Sequence, residues 1–334
     1  MKAGILSLVG NTPIVQLNQF FKDSRFRLFA KLEAYNPGGS IKDRPALHMI
    51  EAALRRGDIG PGTTIIESSS GNMGIGLAQA CRYYGMRLIC VVDTKTTTQN
   101  MAILRAYGAE IDLVSKPDPV TGEFLQARIN RVQNLLHSIP DSFWPDQYSN
   151  IQNAIAHEQT MREIVTELDD RVDYLFCSTS TCGTIRGCAT YVRNQNLQTK
   201  VLAVDAIGSV LFSDKSAKRL IPGHGAAVVP KLLKRDLIDE VIHVSDLECV
   251  VGCRRLVTEE AILVGGSSGA VVMAIERMRE TFAAGATCVA IFPDRGERYL
   301  DTIYSDVWVE QHFGNVSHLW RNSMESKPCT MATY

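Results

Sequence analysis

The chain has 334 residues, 45% of them hydrophobic, and its 35 basic and 36 acidic residues leave a net charge of −1. This length allows a large core, in two lobes or in one large α/β domain, and usually accompanies an active site or a large partner surface. The charges nearly cancel and form no long runs of one sign, which argues against nucleic acid or an anionic membrane as the partner. Small molecules are therefore the expected ligands.

The first residues, MKAGILSLVGNTP, contain too short an apolar stretch for a signal peptide. No window approaches the roughly 18 consecutive apolar residues of a membrane-spanning helix. The nine cysteines include no C-x-x-C pair, and most lie in apolar runs, as Cys90 does. We therefore expect a cytoplasmic protein with reduced, buried cysteines and no metal site.

Short β-rich runs alternate along the chain with longer stretches of helical period. Strands are predicted at 26–33, 64–68, 87–92, 110–114, 174–177, 201–205, 241–244 and 287–292. Helices are predicted at 41–56, 73–84, 97–107, 122–138, 153–168, 185–195, 246–264, 269–283 and 297–304. This alternation predicts an α/β fold with mostly parallel sheets covered by helices. Ligands bind beyond the carboxyl ends of such strands, so the strand-to-helix turns should carry the chemistry.

The stretch NPGGSIKDRP at 36–45 places Lys42 behind a glycine turn, at the start of a predicted helix. The partial positive charge of a helix N-terminus disfavours a second cation and lowers the pKa of its amine. A lysine whose pKa is lowered in this way is suited to act as a nucleophile.

Three further turns are rich in small polar residues. ESSSGNMG at 67–74 and STSTCGT at 178–184 each precede a predicted helix and suit a bound carboxylate or phosphate. The second lacks the G-K-[ST] of a P-loop. GGSSGA at 265–270 would place a buried hydroxyl beside a ring nitrogen. Each turn alone is also compatible with an ordinary capped helix start. Together with Lys42, they supply the groups that pyridoxal phosphate requires.

The segments VGNTPIVQL, KLE, NPGGSIKDR, SSGN, TCGT, GHG, GSSG and GERYL occur in that order. From about residue 5 to 305, the chain thereby resembles the fold-type II pyridoxal-phosphate enzymes of the cysteine synthase and cystathionine β-synthase family. The resemblance implies a two-lobed fold like that of the tryptophan synthase β-subunit, pyridoxal 5'-phosphate as cofactor, amino-acid substrates and a homodimer. It implies a large cofactor-binding lobe at 1–39 and 149–320, a smaller mobile substrate lobe at 40–148 and a tail at 321–334.

The resemblance also implies roles for single residues. Lys42 would be the catalytic lysine, which forms the Schiff base and then moves the substrate α-proton. Asn72 would donate to the phenolic oxygen of the cofactor, and Ser267 would lie beside its pyridine nitrogen. The phosphate cup would consist of Ser180, Thr181, Cys182, Gly183 and Thr184, in which Ser180 and Cys182 replace glycines of the family. The loop that holds the substrate α-carboxylate would consist of Ser69, Ser70, Gly71 and Met73. A hydroxyl at the pyridine nitrogen favours β-replacement through an aminoacrylate.

Two segments depart from ordinary cysteine synthases: SSGNMG at 69–74 replaces T-S-G-N-T-G, and PDRGERY at 293–299 replaces S-S/T-G-E-R-Y. They resemble the branch that makes N-(2-amino-2-carboxyethyl)-L-glutamate from O-phospho-L-serine and L-glutamate, toward 2,3-diaminopropionate for siderophores and peptide natural products. This branch implies Arg128 and Tyr148 near the substrate, where arginine would meet the negative charges.

Several alternatives remain open at this stage. Arg128 is also compatible with a solvated helix face, and Arg298 is compatible with a structural pair to Asp294 or Glu297. The chain is also compatible with a cysteine synthase that acts on O-acetylserine or O-phosphoserine, or with a non-catalytic regulatory homologue. The intact Lys42, Asn72 and Ser267 argue against the homologue without activity.

Overall fold

The computed structural model describes residues 4–22 and 24–321. Within this part, the strands are β1 Ile14–Gln16, β2 Arg27–Leu32, β3 Thr64–Ser68, β4 Arg87–Asp93, β5 Glu110–Val114, β6 Ser142–Phe143, β7 Tyr174–Ser178, β8 Lys200–Ala206, β9 Glu240–Val244 and β10 Thr287–Phe292. The helices are α1 Asp43–Arg56, α2 Asn72–Tyr84, α3 Thr98–Ala106, α4 Phe124–Ser138, α5 Ile151–Glu167, α6 Gly183–Asn194, α7 Asp246–Glu260, α8 Gly266–Met278, α9 Asp306–Phe313 and α10 His318–Arg321.

The strands form two sheets. The larger has the order β1-β2-β10-β7-β8-β9, and the smaller has the order β5-β4-β3-β6. Only β1 and β2 pair in antiparallel fashion, and the other neighbours in both sheets are parallel. The α/β fold with mostly parallel sheets is therefore confirmed.

Helices cover both faces of each sheet. In β10, Cys288 and Ala290 pack into one hydrophobic cluster, whereas Val289 and Ile291 pack into the cluster on the opposite face. Strand β4 in the smaller sheet alternates in the same way between two further clusters. Successive side chains of a strand point to opposite faces, so nearly continuous apolar runs are what a sheet buried on both sides requires.

All eight predicted strands are present, with ends that differ by at most one residue. The prediction missed β1 and β6, which have three and two residues. The helix predicted at 246–264 ends at Glu260, because Ala261 adopts a left-handed conformation with φ 56°. The helix predicted at 297–304 is wrong: only a 3-10 turn, Gly296–Tyr299, forms there, and the next helix, α9, begins after a Ser305 cap.

Apart from Arg321, the tail predicted at 321–334 lies outside the described residues. None of the helices in the described part is long and apolar enough to cross a bilayer.

Candidate active site

The starts of three helices meet at the carboxyl end of β10. An isolated bridge joins Ser40, just before α1, to Asp294, and a second joins Val264, just before α8, to Arg295. The first residue of α2, Asn72, donates from Nδ2 to Asp294 Oδ2 at 2.7 Å. Residues from both sheets therefore converge where the ligands of parallel sheets bind.

Lys42 lies in this region as the N-cap residue of α1. The backbone N–H of the preceding Ile41 donates to Pro293 O at 2.7 Å, which fixes the lysine segment to the end of β10. Burial lowers the pKa of the Lys42 amine to about 8, while Cys182 and Asp294 oppose the shift. The lowered pKa expected from the sequence is confirmed, and desolvation is its main cause.

The turn between β7 and α6 forms a cup around the start of α6. Cys182, the N-cap residue, adopts a left-handed conformation with φ 64°, so this position keeps a backbone path that glycine usually provides. A Cβ atom on Gly183 would lie 2.2 Å from Asn153 Oδ1, which leaves room for glycine alone. The first N–H groups of a helix have no intrahelical acceptor, so those of α6 are available to an anion.

Two buried histidines flank this cup, and the sequence analysis assigned a role to neither. His157 Nε2 lies 3.3 Å from Thr184 Oγ1, and its Nδ1 lies 3.1 Å from Thr160 Oγ1. His224 Nδ1 lies 2.9 Å from Ser178 Oγ. Burial lowers the pKa of His157 well below its usual value and that of His224 to about 3, so both imidazoles are neutral at pH 7.

Unsatisfied polar atoms provide a test of whether the region fits pyridoxal phosphate. Thr181 Oγ1 in the cup and Ser268 Oγ at the start of α8 are both buried and have no hydrogen-bond partner among the described residues. Buried polar atoms without partners are uncommon, and those at binding sites are satisfied by the ligand. The hydroxyls, the helix N-terminus and the amine of Lys42 therefore fit the phosphate and aldehyde of this cofactor.

The loop between β3 and α2 contains the residues expected to hold a carboxylate. Ser69 Oγ accepts from Gly74 N at 2.9 Å, and Ser70 O accepts from Asn100 Nδ2 at 3.0 Å. Gly71 is the N-cap of α2. The side chain of Met73 packs into the core of the smaller sheet, so this residue can present only its backbone N–H to a ligand. Anion binding by this loop would therefore depend mainly on its backbone.

Asn72 belongs to a hydrogen-bonded network that the sequence analysis did not predict. Arg298 donates to Asn72 Oδ1 and, at 2.7 Å, to Gly38 O. Tyr299 donates its hydroxyl to Asp294 Oδ2 at 2.6 Å, the same oxygen that Asn72 contacts. Burial raises the pKa of Asp294, against the effect of its hydrogen bonds to Tyr299 and Asn72. The only sign of this network in the sequence is that PDRGERY departs from the serine-containing segment of ordinary cysteine synthases.

Ser267 lies in the first turn of α8 and is 9% exposed. Gly265 and Gly266, at the start of the helix, permit a close approach of neighbouring segments of the chain. A Cβ atom on Gly265 would lie 2.1 Å from Asp294 Oδ1, and one on Gly266 would lie 2.4 Å from Ile221 Cγ2. The second serine of the turn, Ser268, is fully buried.

Arg128 is not on a solvated helix face. Its side chain is 11% exposed, and its Nε lies 3.3 Å from Asp93 Oδ2 at the end of β4. Burial raises the pKa of the Tyr148 hydroxyl, and the charges of Arg128 and Arg219 oppose this shift. The charges of an arginine on α4 and of one between β8 and β9 thus act on the same tyrosine.

Comparison with known proteins identifies the family. Residues 5–294 match the family model described as pyridoxal-phosphate dependent enzyme. The chain is 48% identical over 306 residues to the N-(2-amino-2-carboxyethyl)-L-glutamate synthase of Ralstonia nicotianae, a match that covers 91% of this chain and 90% of the relative.

Similar solved structures include a hydrogen sulfide-producing enzyme from Fusobacterium nucleatum, with 32% identity, a TM-score of 0.84 and coverage of 90% of this chain and 100% of that one. The O-acetylserine dependent cystathionine β-synthase of Helicobacter pylori has 31% identity and a TM-score of 0.85, and the match covers 91% of this chain and 99% of that one. An O-ureido-L-serine synthase has 29% identity and a TM-score of 0.85, and the match covers 92% of this chain and 96% of that one. The chain therefore belongs to the family of pyridoxal-phosphate dependent enzymes.

Proposed function

We propose that the chain catalyses a β-replacement in which L-glutamate displaces the phosphate of O-phospho-L-serine. The Cβ–O bond to phosphate breaks, a bond from Cβ to the glutamate nitrogen forms, and a proton leaves that nitrogen. The products are N-(2-amino-2-carboxyethyl)-L-glutamate and phosphate, and the first would serve as a source of 2,3-diaminopropionate for siderophores or peptide natural products. The observation that carries this proposal is the 48% identity to the Ralstonia synthase over 91% of the chain.

Bound pyridoxal phosphate supplies an aldehyde that captures amines and a ring that withdraws electrons from the substrate Cα. Lys42 would hold this aldehyde and, once the substrate amine replaces it, take the α-proton. Its pKa of about 8 supports this role, because about half of the amine is neutral at pH 8, far more than for an ordinary lysine. Thr181, Gly183 and the N-terminus of α6 would hold the phosphate group, together with Ser180, Cys182 and Thr184.

The charges of the second substrate indicate where it would bind. L-Glutamate brings two carboxylates, and arginine forks are the usual partners of a carboxylate. Arg128, whose side chain is largely buried and whose charge acts on Tyr148, would meet one of them. The loop of Ser69, Ser70, Gly71 and Met73 would hold the α-carboxylate of the first substrate. Closure of a lobe at 40–148 onto one at 1–39 and 149–320 would exclude water from the reaction.

We also propose a cytoplasmic homodimer. The eight free, buried cysteines of the described part support a reducing compartment such as the cytoplasm.

The test is a comparison of nucleophiles and leaving groups with the purified holoenzyme. O-Phospho-L-serine or O-acetyl-L-serine is mixed with L-glutamate, L-aspartate or sulfide, and both the released phosphate or acetate and the mass of the amino-acid product are measured. We expect the largest kcat/KM with O-phospho-L-serine and L-glutamate, and a product with the mass of N-(2-amino-2-carboxyethyl)-L-glutamate. Lys42→Ala serves as the inactive control.

A cysteine synthase is the second candidate, because two similar solved structures are the hydrogen sulfide-producing enzyme and the O-acetylserine dependent cystathionine β-synthase named above. Formation of cysteine from sulfide, with no product from glutamate, would replace our proposal by this function. Binding of the cofactor without turnover of any of these substrates would indicate a non-catalytic homologue.

A further inference from the structure

Asp294 contacts the amide of Asn72, and its charge acts on the Lys42 amine. It is 2% exposed and follows β10 by two residues. Its Oδ2 accepts from Asn72 Nδ2 at 2.7 Å and from the Tyr299 hydroxyl at 2.6 Å. The bridge to Ser40 attaches the same residue to the segment that carries Lys42.

The partners of Asn72 determine how its amide is oriented. A guanidinium group can only donate hydrogen bonds, whereas an ionised carboxylate can only accept them. Arg298 at Oδ1 and Asp294 at Nδ2 therefore favour the same orientation of the amide, and a flipped amide would lose both interactions. The remaining N–H of Nδ2 has no acceptor among residues 4–22 and 24–321.

The position of the carboxylate itself is constrained. Gly265 packs so closely against it that a Cβ atom there would lie 2.1 Å from Asp294 Oδ1. Asp294 is also part of the PDRGERY segment, where the cysteine synthases that the chain resembles carry serine. A serine hydroxyl is shorter than an aspartate side chain and would not reach the amide in the same way.

We propose that Asp294 is a positioning residue that, together with Arg298, holds the Asn72 amide with one N–H free to donate to the phenolic oxygen of pyridoxal phosphate. This inference rests on the role of Asn72 in cofactor binding and does not depend on which substrates the enzyme uses. Asp294 acts through Asn72 and has no step of its own in the reaction.

The test uses the absorption spectrum and cofactor affinity of the holoenzyme in the absence of substrate. A donor at the phenolic oxygen changes the balance of the cofactor's tautomers and therefore the ratio of its absorption bands. In Asp294→Ala, we expect a changed band ratio and a dissociation constant for pyridoxal phosphate that is raised about tenfold, as for loss of one hydrogen bond to a charged group. Asp294→Asn should restore most of both properties, because its amide oxygen can still accept from Asn72.

A double-mutant cycle with Asn72→Ala separates positioning from general destabilisation. If Asp294 acts through Asn72, its removal should change the dissociation constant by less than about twofold in the Asn72→Ala background. An equal loss in both backgrounds, or an unchanged band ratio in Asp294→Ala, would overturn the proposal. Tyr299→Phe is the matched control, because it removes the other hydrogen bond to the same oxygen and should leave the band ratio unchanged. If Asp294→Ala does not fold, Asp294→Ser takes its place with the same expected results.

Discussion

At the scale of single residues, the burial of the Lys42 amine has a measurable consequence. Only the neutral amine attacks an aldehyde, and the pKa of Lys42 is lowered from 10.5 to about 8. The rate at which apoenzyme takes up pyridoxal phosphate into its covalent form should therefore rise about tenfold per pH unit below pH 8 and level off above it. Rapid-mixing absorbance measurements give this rate. A rise that continues to pH 10 would mean that the amine is not desolvated.

Arg128 and Arg131 provide a matched pair on α4. Arg131 lies on the exposed surface, where it pairs with Asp112 and its side chain is 45% exposed, whereas Arg128 is largely buried beside Asp93. If Arg128 binds a substrate carboxylate, Arg128→Ala should raise KM for L-glutamate about tenfold or more, and Arg131→Ala should leave it unchanged. Steady-state kinetics at saturating O-phospho-L-serine test this expectation. Equal effects of the two substitutions would remove Arg128 from the substrate site.

At the scale of elements, α6 is held in place by its close contact with α5. A Cβ atom on Gly187 would lie 2.0 Å from the backbone carbonyl oxygen of Ala154, and backbone cannot move as a flexible side chain can. Gly187→Ala gains up to about 1 kcal/mol in helix propensity, but the overlap should cost more. We expect a net loss of about 2 kcal/mol in the free energy of unfolding, together with weaker cofactor binding.

Gly60→Ala is the control for Gly187→Ala, because no atom lies within 4 Å of its Cβ position. Urea denaturation of both variants, followed by circular dichroism, measures the difference. Comparable stability of the two variants would show that α5 and α6 can separate without cost, and that the cup at the start of α6 does not depend on this contact.

A buried ionic network joins β2 and α5 to α1, the helix that begins after Lys42. Glu163 lies 2.8 Å from Lys31 Nζ and 2.6 Å from Arg44 Nη2, and Arg44 Nε lies 2.7 Å from Glu33. Burial alone would raise the pKa of Glu163, but the hydrogen bonds and charges of Arg44 and Lys31 outweigh it and lower the pKa to about 2. The network therefore stabilises the fold above the unfolded-state pKa of Glu163, and this contribution is lost as pH falls toward 2.

Glu163→Gln should accordingly reduce the free energy of unfolding by about 3 kcal/mol at pH 7, because it leaves the buried Lys31 without its carboxylate and Arg44 with Glu33 alone. The difference from the wild type should shrink as pH falls below 4.5. Urea titrations at several pH values test both statements. The exposed Glu167, one turn further along α5, provides a Glu→Gln control that should change stability little at any pH. A difference that does not depend on pH would exclude the ion pairs as its cause.

At the scale of the whole molecule, local patterns predicted most of the sheets. Apolar runs and glycine turns are patterns within a few consecutive residues. Strands such as β4, and the placement of Lys42 at the start of α1, could therefore be predicted from the sequence. The missed features depend on contacts between distant residues. The bond from Asn72 to Asp294 spans 222 positions, and its partners are fixed only once both sheets are packed. The three residues of β1 are likewise too few for a pattern, and they pair only because β2 presents an edge.

The position of β10 in the sheet also has a consequence for biosynthesis. This strand inserts between β2 and β7, yet it begins only at residue 287, far along the chain from β2. A ribosome must therefore deliver the chain through β10 before the larger sheet can close, and until then β2 has an unpaired edge that invites association with other nascent chains. Because Asp294 and Arg298 follow β10, Asn72 gains these two partners only after that strand has been synthesised.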